Sequence, residues 1–143
     1  MSHEDCIFCK IIKGEIPSAK VYEDEHVYAF LDISQVTKGH TLVIPKQHTR
    51  NLYDTPSEVA SNLFAAVPRI ANAIKDTYGA IGMNLLNNNE AAANQQVFHL
   101  HLHLLPKYSE EEGFSAIWKT HADDYSMDDL QHIAQEINKN VAN

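Results

Sequence analysis

Apolar residues along this chain change their period several times, and each change marks an element. A short helix is expected from Cys6 to about Lys13, stopped near Gly14 and Pro17. Val21 to Glu23 and His26 to Leu31 read as strands around the acidic turn Glu23-Asp24-Glu25, and His40 to Ile44 as a third strand that Pro45 ends. The clearest helix follows. Thr55 is the expected N-cap, Pro56 suits the first helical position, and Glu58 completes a capping box. Leu63, Val67, Ile70 and Ile74 keep one face, Pro68 is expected to kink the helix without ending it, and Gly79 closes it. Ile81 to Leu86 and Val97 to Leu105 complete the strands, separated by the polar loop Asn87 to Gln96. A last amphipathic helix starts after Ser126 and carries Leu130, Ile133 and Ile137. Five short strands and two main helices in mixed order predict an α+β fold with an antiparallel sheet.

A length of 143 residues suits one domain, taken as 1–143, with no repeat, linker or low-complexity tract. A formal charge of −8 argues against nucleic acid as a partner, because a phosphate backbone demands clustered Lys and Arg. A small anionic ligand remains compatible, since a few N–H groups hold one phosphate locally. No apolar run approaches the roughly 18 residues of a membrane helix, so no membrane partner is expected. The opening Met1-Ser2-His3-Glu4-Asp5 has neither the basic nor the apolar region of a signal peptide. A cytoplasmic location is therefore expected. There the C-x-x-C pair Cys6 and Cys9 suggests metal or redox chemistry more than a disulfide.

The sharpest feature is Phe98-His99-Leu100-His101-Leu102-His103-Leu104-Leu105-Pro106. On a strand the three histidines share one face and the leucines the other. The leucine face explains itself as core. Imidazoles about 7 Å apart gain little from one another by packing, so their face calls for chemistry. One candidate is a catalytic metal held by the histidines, with an open coordination position. The other is covalent catalysis by a neutral imidazole, which needs an acceptor on Nδ1 to fix its tautomer and donors for the phosphate oxygens. The loop Asn87 to Gln96, rich in amides and small residues, is placed to supply such donors.

The run His99 to Leu104 matches the His-φ-His-φ-His-φ signature, φ being apolar, and the chain resembles the histidine triad (HIT) nucleotide hydrolases and transferases. The resemblance extends from about Cys6 to Pro106 and includes Ile7-Phe8-Cys9-Lys10-Ile11-Ile12, Phe30-Leu31-Asp32-Ile33 and Gly39 to His48. It looks closest to the bacterial branch related to Hint and Fhit. The resemblance implies a HIT-like fold and attack by His101 on the α-phosphorus of a purine nucleotide derivative, a nucleoside phosphoramidate or a dinucleoside polyphosphate. A nucleotidyl-histidine intermediate would result. It further implies that His101 Nδ1 donates to the carbonyl of His99, with His103 and His40 completing the network around the phosphate. Asp32 would accept from the ribose hydroxyls, Phe30 and Ile33 would help form the base pocket, Asn88 would contact phosphate, and Gln95 and Gln96 occupy the family's Gly-Gln-Ser/Thr segment among the nucleotide-binding residues. Asn94 stands where relatives have glycine, a substitution that Asn, tolerant of positive φ, suits better than most. A homodimer is implied by analogy with relatives that pair their sheets. Residues from about 107 to 143 form a helical extension whose helix is expected at the partner chain or the pocket rim.

Cys6 and Cys9, with histidines elsewhere, suggest one tetrahedral structural Zn2+ per chain, for which the pattern selects Cys6, Cys9, His48 and His99. Zinc-containing members of the family resemble this arrangement. His99 would then give its ring to zinc and its carbonyl to His101. Two other readings are a zinc-stabilised nucleotide-binding regulator with little catalysis, and a catalytic zinc on all three triad histidines.

Overall fold

The computed structural model describes residues 4–141. The reading of the first residues as lacking a signal peptide rests partly on Met1 to His3, which lie outside the described residues. Five strands, β1 (Lys20–Glu23), β2 (Val27–Leu31), β3 (Thr41–Pro45), β4 (Gly82–Leu86) and β5 (Leu102–Lys107), form one antiparallel sheet in the order β1-β2-β3-β5-β4. The helices are α1 (Ile7–Ile12), α2 (Ser57–Tyr78) and α3 (Met127–Asn140). No described helix is long and apolar enough to cross a membrane.

The sheet is covered on both faces, so its central strands do not alternate buried and exposed residues. Every residue of β3 is buried, and all of β2 except Leu31. On one face α2 lays Val59, Leu63, Ala66, Val67, Ile70 and Ile74 along a single stripe. Leu63, Ala66, Val67, Ile70 and Ile74 pack there with Val27, Ala29, Val43, Leu102 and Leu104. On the other face Phe8 and Ile11 of α1 join Tyr28, Phe30, Leu42 and Ile44. Leu42 lies opposite His103 in the β3–β5 register, which brings His103 out beside α1.

Helix α2 runs through Pro68 without ending, as its periodicity implies, and closes on Gly79 in the left-handed region, φ 71°, with its N–H donating to the carbonyl of Lys75. Its start differs from expectation. Pro56 is the N-cap residue and makes no side-chain cap bond. The Thr55 hydroxyl turns back instead to the carbonyl of Asn51, 2.6 Å away, so it is spent within the preceding loop.

The larger difference lies in the histidine run. β5 begins at Leu102, so the expected strand Val97 to Leu105 loses its first five residues. Their backbone groups are engaged elsewhere. Leu100 N–H donates to the carbonyl of Thr49, the His99 carbonyl faces His101 Nδ1, and the His101 carbonyl accepts from Asn87 Nδ2. With these bonds made locally, no ladder forms there, yet the two faces persist: Leu100, Leu102 and Leu104 join the α2-side core, while Phe8 of α1 touches the rings of His99 and His101, and His103 lies beside His101.

Candidate active site

His101 is buried, and its Nδ1 lies 2.7 Å from the carbonyl oxygen of His99. A carbonyl only accepts, so Nδ1 carries the proton and Nε2 keeps its lone pair. Burial lowers the pKa of His101, against the raising effects of the His99 carbonyl and of Asp32. The imidazole is thus held neutral and in one tautomer. The edge of the Phe8 ring packs at 5.2 Å between centroids and limits its rotation.

A second chain of bonds begins at the backbone. Val36 N–H donates to His40 Nδ1 at 3.2 Å, which leaves the proton of neutral His40 on Nε2. That nitrogen lies 2.9 Å from His103 Nδ1, so His103 accepts there and carries its own proton on Nε2. Burial, then the nearby charges of His101 and His40, brings the His103 pKa down to about 4, and burial lowers that of His40 as well. Asp32 holds one oxygen 3.6 Å from His40 Nε2 and receives Ser34 N–H on the other at 2.7 Å. The site offers a bare nitrogen on His101 and an N–H on His103, with ring centroids 5.1 Å apart.

Both rings line a cleft with Asp32, Asn88, Asn94, Gln96, Phe8, Leu42 and Val97. Of the residues expected to contact a nucleotide, Asp32, Asn88 and Gln96 therefore stand together with His101 and His103. His40 supports them from within the protein, buried to 3% exposure. Phe30 is buried beneath Phe8, ring edge to ring face at 5.4 Å, and does not line the cleft. Ile33 is fully exposed and outside it. Gln95 is buried and turned into the loop, where its amide bonds Asn51, Arg50, Glu90 and Val97. Asn94 takes φ 72°, the backbone that a glycine would adopt freely.

Sequence reasoning did not single out Leu42, Val97 or Asn87. Phe8 carried a signal, because it shares with Ile11 the apolar face of α1. Asn51 carried none: it is a polar residue in a polar stretch, yet almost wholly buried.

Beneath the cleft, Cys6, Cys9, His48 and His99 bring their donor atoms within 4.8 Å of one another. His99 Nδ1 lies 3.4 Å from Cys6 Sγ and 3.6 Å from Cys9 Sγ, and His48 Nδ1 lies 3.4 Å from Cys9 Sγ. Sulfur and nitrogen bound to one tetrahedral zinc stand ~3.6 Å apart, given Zn–S near ~2.3 Å and Zn–N near ~2.05 Å. His99 Nε2 donates to the carbonyl of Pro45 at 2.8 Å, which turns the lone pair of Nδ1 toward the sulfurs. Burial, then the Cys6 thiol beside it, pushes the Cys9 thiol up to about 11. The four residues suit a tetrahedral metal ion. A metal shared by all three triad histidines does not fit this arrangement, because the His99 ring belongs to the cysteine cluster. Asp32, His40 and His103 also lie close enough to share an ion. There, however, His40 Nδ1 already accepts Val36 N–H, and ligation through Nε2 would set two donors against each other.

The model of the family described as HIT domain matches residues 13–110. A solved structure of a HIT family member from Bacillus subtilis superposes with TM-score 0.94 at 62% identity, covering 98% of this chain and 99% of that one. Adenosine 5'-monophosphoramidase of Candida albicans is 39% identical over 99% of this chain and 94% of its own length. A zinc-bound histidine triad family protein from Mycobacterium smegmatis superposes with TM-score 0.74 at 36% identity, covering 96% of this chain and 99% of that one. On the extent of these matches, and on the triad that the fold assembles around His101, the chain belongs to the HIT domain family.

Proposed function

We propose that the protein is a nucleotide hydrolase or transferase acting at the α-phosphorus of a purine nucleotide derivative, a nucleoside phosphoramidate or a dinucleoside polyphosphate. The observation that carries this reading is the tautomer of His101. With Nδ1 bound to the His99 carbonyl, Nε2 is the nitrogen left for chemistry at the cleft. Its lone pair forms a bond to phosphorus while the bond from phosphorus to the leaving amine or phosphate oxygen breaks, and that group takes its electron pair and a proton from solvent. Water then forms the new P–O bond and gives a proton back to solvent, while the P–N bond to His101 returns its pair to Nε2. His103 Nε2–H and the amides of Asn88 and Gln96 hold phosphate oxygens, and Asp32 accepts from the ribose hydroxyls. The phosphoramidase activity named for the Candida albicans relative, with its match along nearly the whole chain, supports the substrate class.

His101→Asn should retain AMP binding and lose turnover of adenosine 5'-phosphoramidate by about 10^4-fold or more. Near-native turnover would overturn the reading, as would product accumulating while quenched mixtures never carry a nucleotide on His101.

The Cys6, Cys9, His48 and His99 cluster is assigned to one structural Zn2+ per chain. Bound there, zinc would tie α1 to the triad segment and supply charge to two thiolates. Metal analysis after dialysis should find one zinc per chain; none found, with both thiols alkylated in the native protein, would reject the assignment. We assign a cytoplasmic location and a homodimer on the same footing. Strand β4 is a sheet edge with Leu85 largely exposed and Ile81 exposed just before it, an edge that a second copy would extend. Light scattering should give twice 16.1 kDa; a monomer at micromolar concentration would exclude the dimer.

A further inference from the structure

Opposite His101, the cleft wall is built on a backbone that resists its own conformation. Glu90 has φ 74° and ψ 156°, a region that residues with a Cβ rarely enter, and Asn94 follows at φ 72°. Such a conformation persists only where its surroundings impose it. At Glu90 they do so from both ends. One carboxylate oxygen lies 2.6 Å from Arg50 Nη2, and the other lies 3.0 Å from Asn51 Nδ2. Glu90 N–H donates to Gln95 Oε1 at 2.8 Å, and its carbonyl accepts from the N–H groups of Ala93 and Gln95.

The anchor behind these bonds is buried. Asn51 is 1% exposed and Gln95 4% exposed, and the two amides bond each other at 3.1 Å. Gln95 Nε2 continues to the carbonyls of Arg50 and Val97. Arg50 stacks its guanidinium over the Phe98 ring, 4.4 Å from the centroid, one residue before His99. Hydrogen bonding from Arg50, then Asn51, holds the Glu90 carboxyl below the usual range and so ionised. Within the loop pinned by these contacts lie Asn88, Asn94 and Gln96, all on the cleft wall.

We infer that Glu90 is a positioning residue: its carboxylate, clamped by Arg50 and Asn51, holds the loop 88–97 in the strained form that aims Asn88, Asn94 and Gln96 at a substrate phosphate. Glu90 itself does not line the cleft. This rests on the nucleotide reading above for what the wall binds, though the clamp itself is independent of it. Glu90→Ala keeps a Cβ at positive φ and removes what compels it, so the loop relaxes. Glu90→Gln keeps one acceptor oxygen, for Arg50 or for Asn51, and turns an amide NH2 toward the other donor.

The experiment compares the two variants by amide hydrogen exchange in the unliganded protein and by calorimetric binding of AMP. Glu90→Ala should lose protection at the amides of Ala93, Asn94 and Gln95, bind AMP about tenfold more weakly, and raise KM for adenosine 5'-phosphoramidate about tenfold with kcat within about threefold. Glu90→Gln, with one of the two acceptors left, should show protection and AMP affinity between those of Glu90→Ala and the parent. Unchanged exchange in Glu90→Ala overturns the inference whatever the activity. So does a loss of protection spread evenly over the sheet, which would mark a residue needed only for stability. A parent protein that neither binds AMP nor cleaves the phosphoramidate would instead remove the nucleotide reading, while exchange still reports on the clamp.

Discussion

Helices α2 and α3 both carry apolar residues at three- and four-residue spacing, yet they end in opposite circumstances. α2 buries Val59, Leu63, Ala66, Val67, Ile70 and Ile74, whereas α3 has no buried residue and leaves Leu130, Ile133 and Ile137 exposed. The local signals are stronger at α3. Ser126 and Asp129 form a reciprocal capping box there, while α2 starts at Pro56 with no side-chain cap. Caps and periodicity define a helix; a complementary surface decides whether its apolar face is satisfied. A 14-residue helix is marginal alone in water; in the dimer proposed above, a second copy would cover the face of α3.

The contrast can be pressed by mutation, from the largest expected effect to the smallest. Leu63→Ala opens a cavity between α2 and the sheet and should cost roughly 2–5 kcal/mol in denaturant unfolding; a loss below about 1 kcal/mol would mean that the α2 face is not packed as described. Asn51→Ala removes a buried hub and should cost about 1–3 kcal/mol, because the amide of Gln95 and the carboxylate of Glu90 lose a partner. Ser126→Ala should remove about 1 kcal/mol from α3 itself, read as lost exchange protection in that helix. The unfolding midpoint of the sheet should not follow it; a matching shift would show that the two regions fold as one. Ile133→Ala should change unfolding by less than about 0.5 kcal/mol in protein diluted to monomer, and should weaken the dimer measured by sedimentation. A full core-sized loss in the monomer would erase the distinction between the helices.

The same contrast sorts what was legible in the sequence. The α2 stripe, the five strands and the Ser126 start announce themselves through period and turn chemistry, and all five strands and both helices are present. Cys6, Cys9, His48 and His99 also come together, because C-x-x-C and the histidines are ligands whatever the backbone does between them. The segment Val97 to His101 was illegible for a specific reason. Its alternation is that of a strand, but its N–H and carbonyl groups are claimed by Thr49, Asn87 and the ring of His101. Gln95 and Asn51 meet across 44 positions, and Glu90 is bent to suit them. Such bonds have no period and no spacing. They become visible only when the chain is folded, and they account for Gln95 leaving the cleft and for Thr55 missing the cap.

The duties of position 99 are divided between side chain and main chain. The ring serves the cysteine cluster, while the carbonyl fixes the nucleophile. Every residue supplies a carbonyl, so substitution at this site could abolish or exchange a metal bound there without rewriting the instruction to His101, provided the path of the chain is kept. Stabilising hardware and catalytic hardware are thereby free to diverge separately in descendants of one scaffold. Relatives without the cysteines would need some other means of bracing the segment, and no new way of orienting the imidazole.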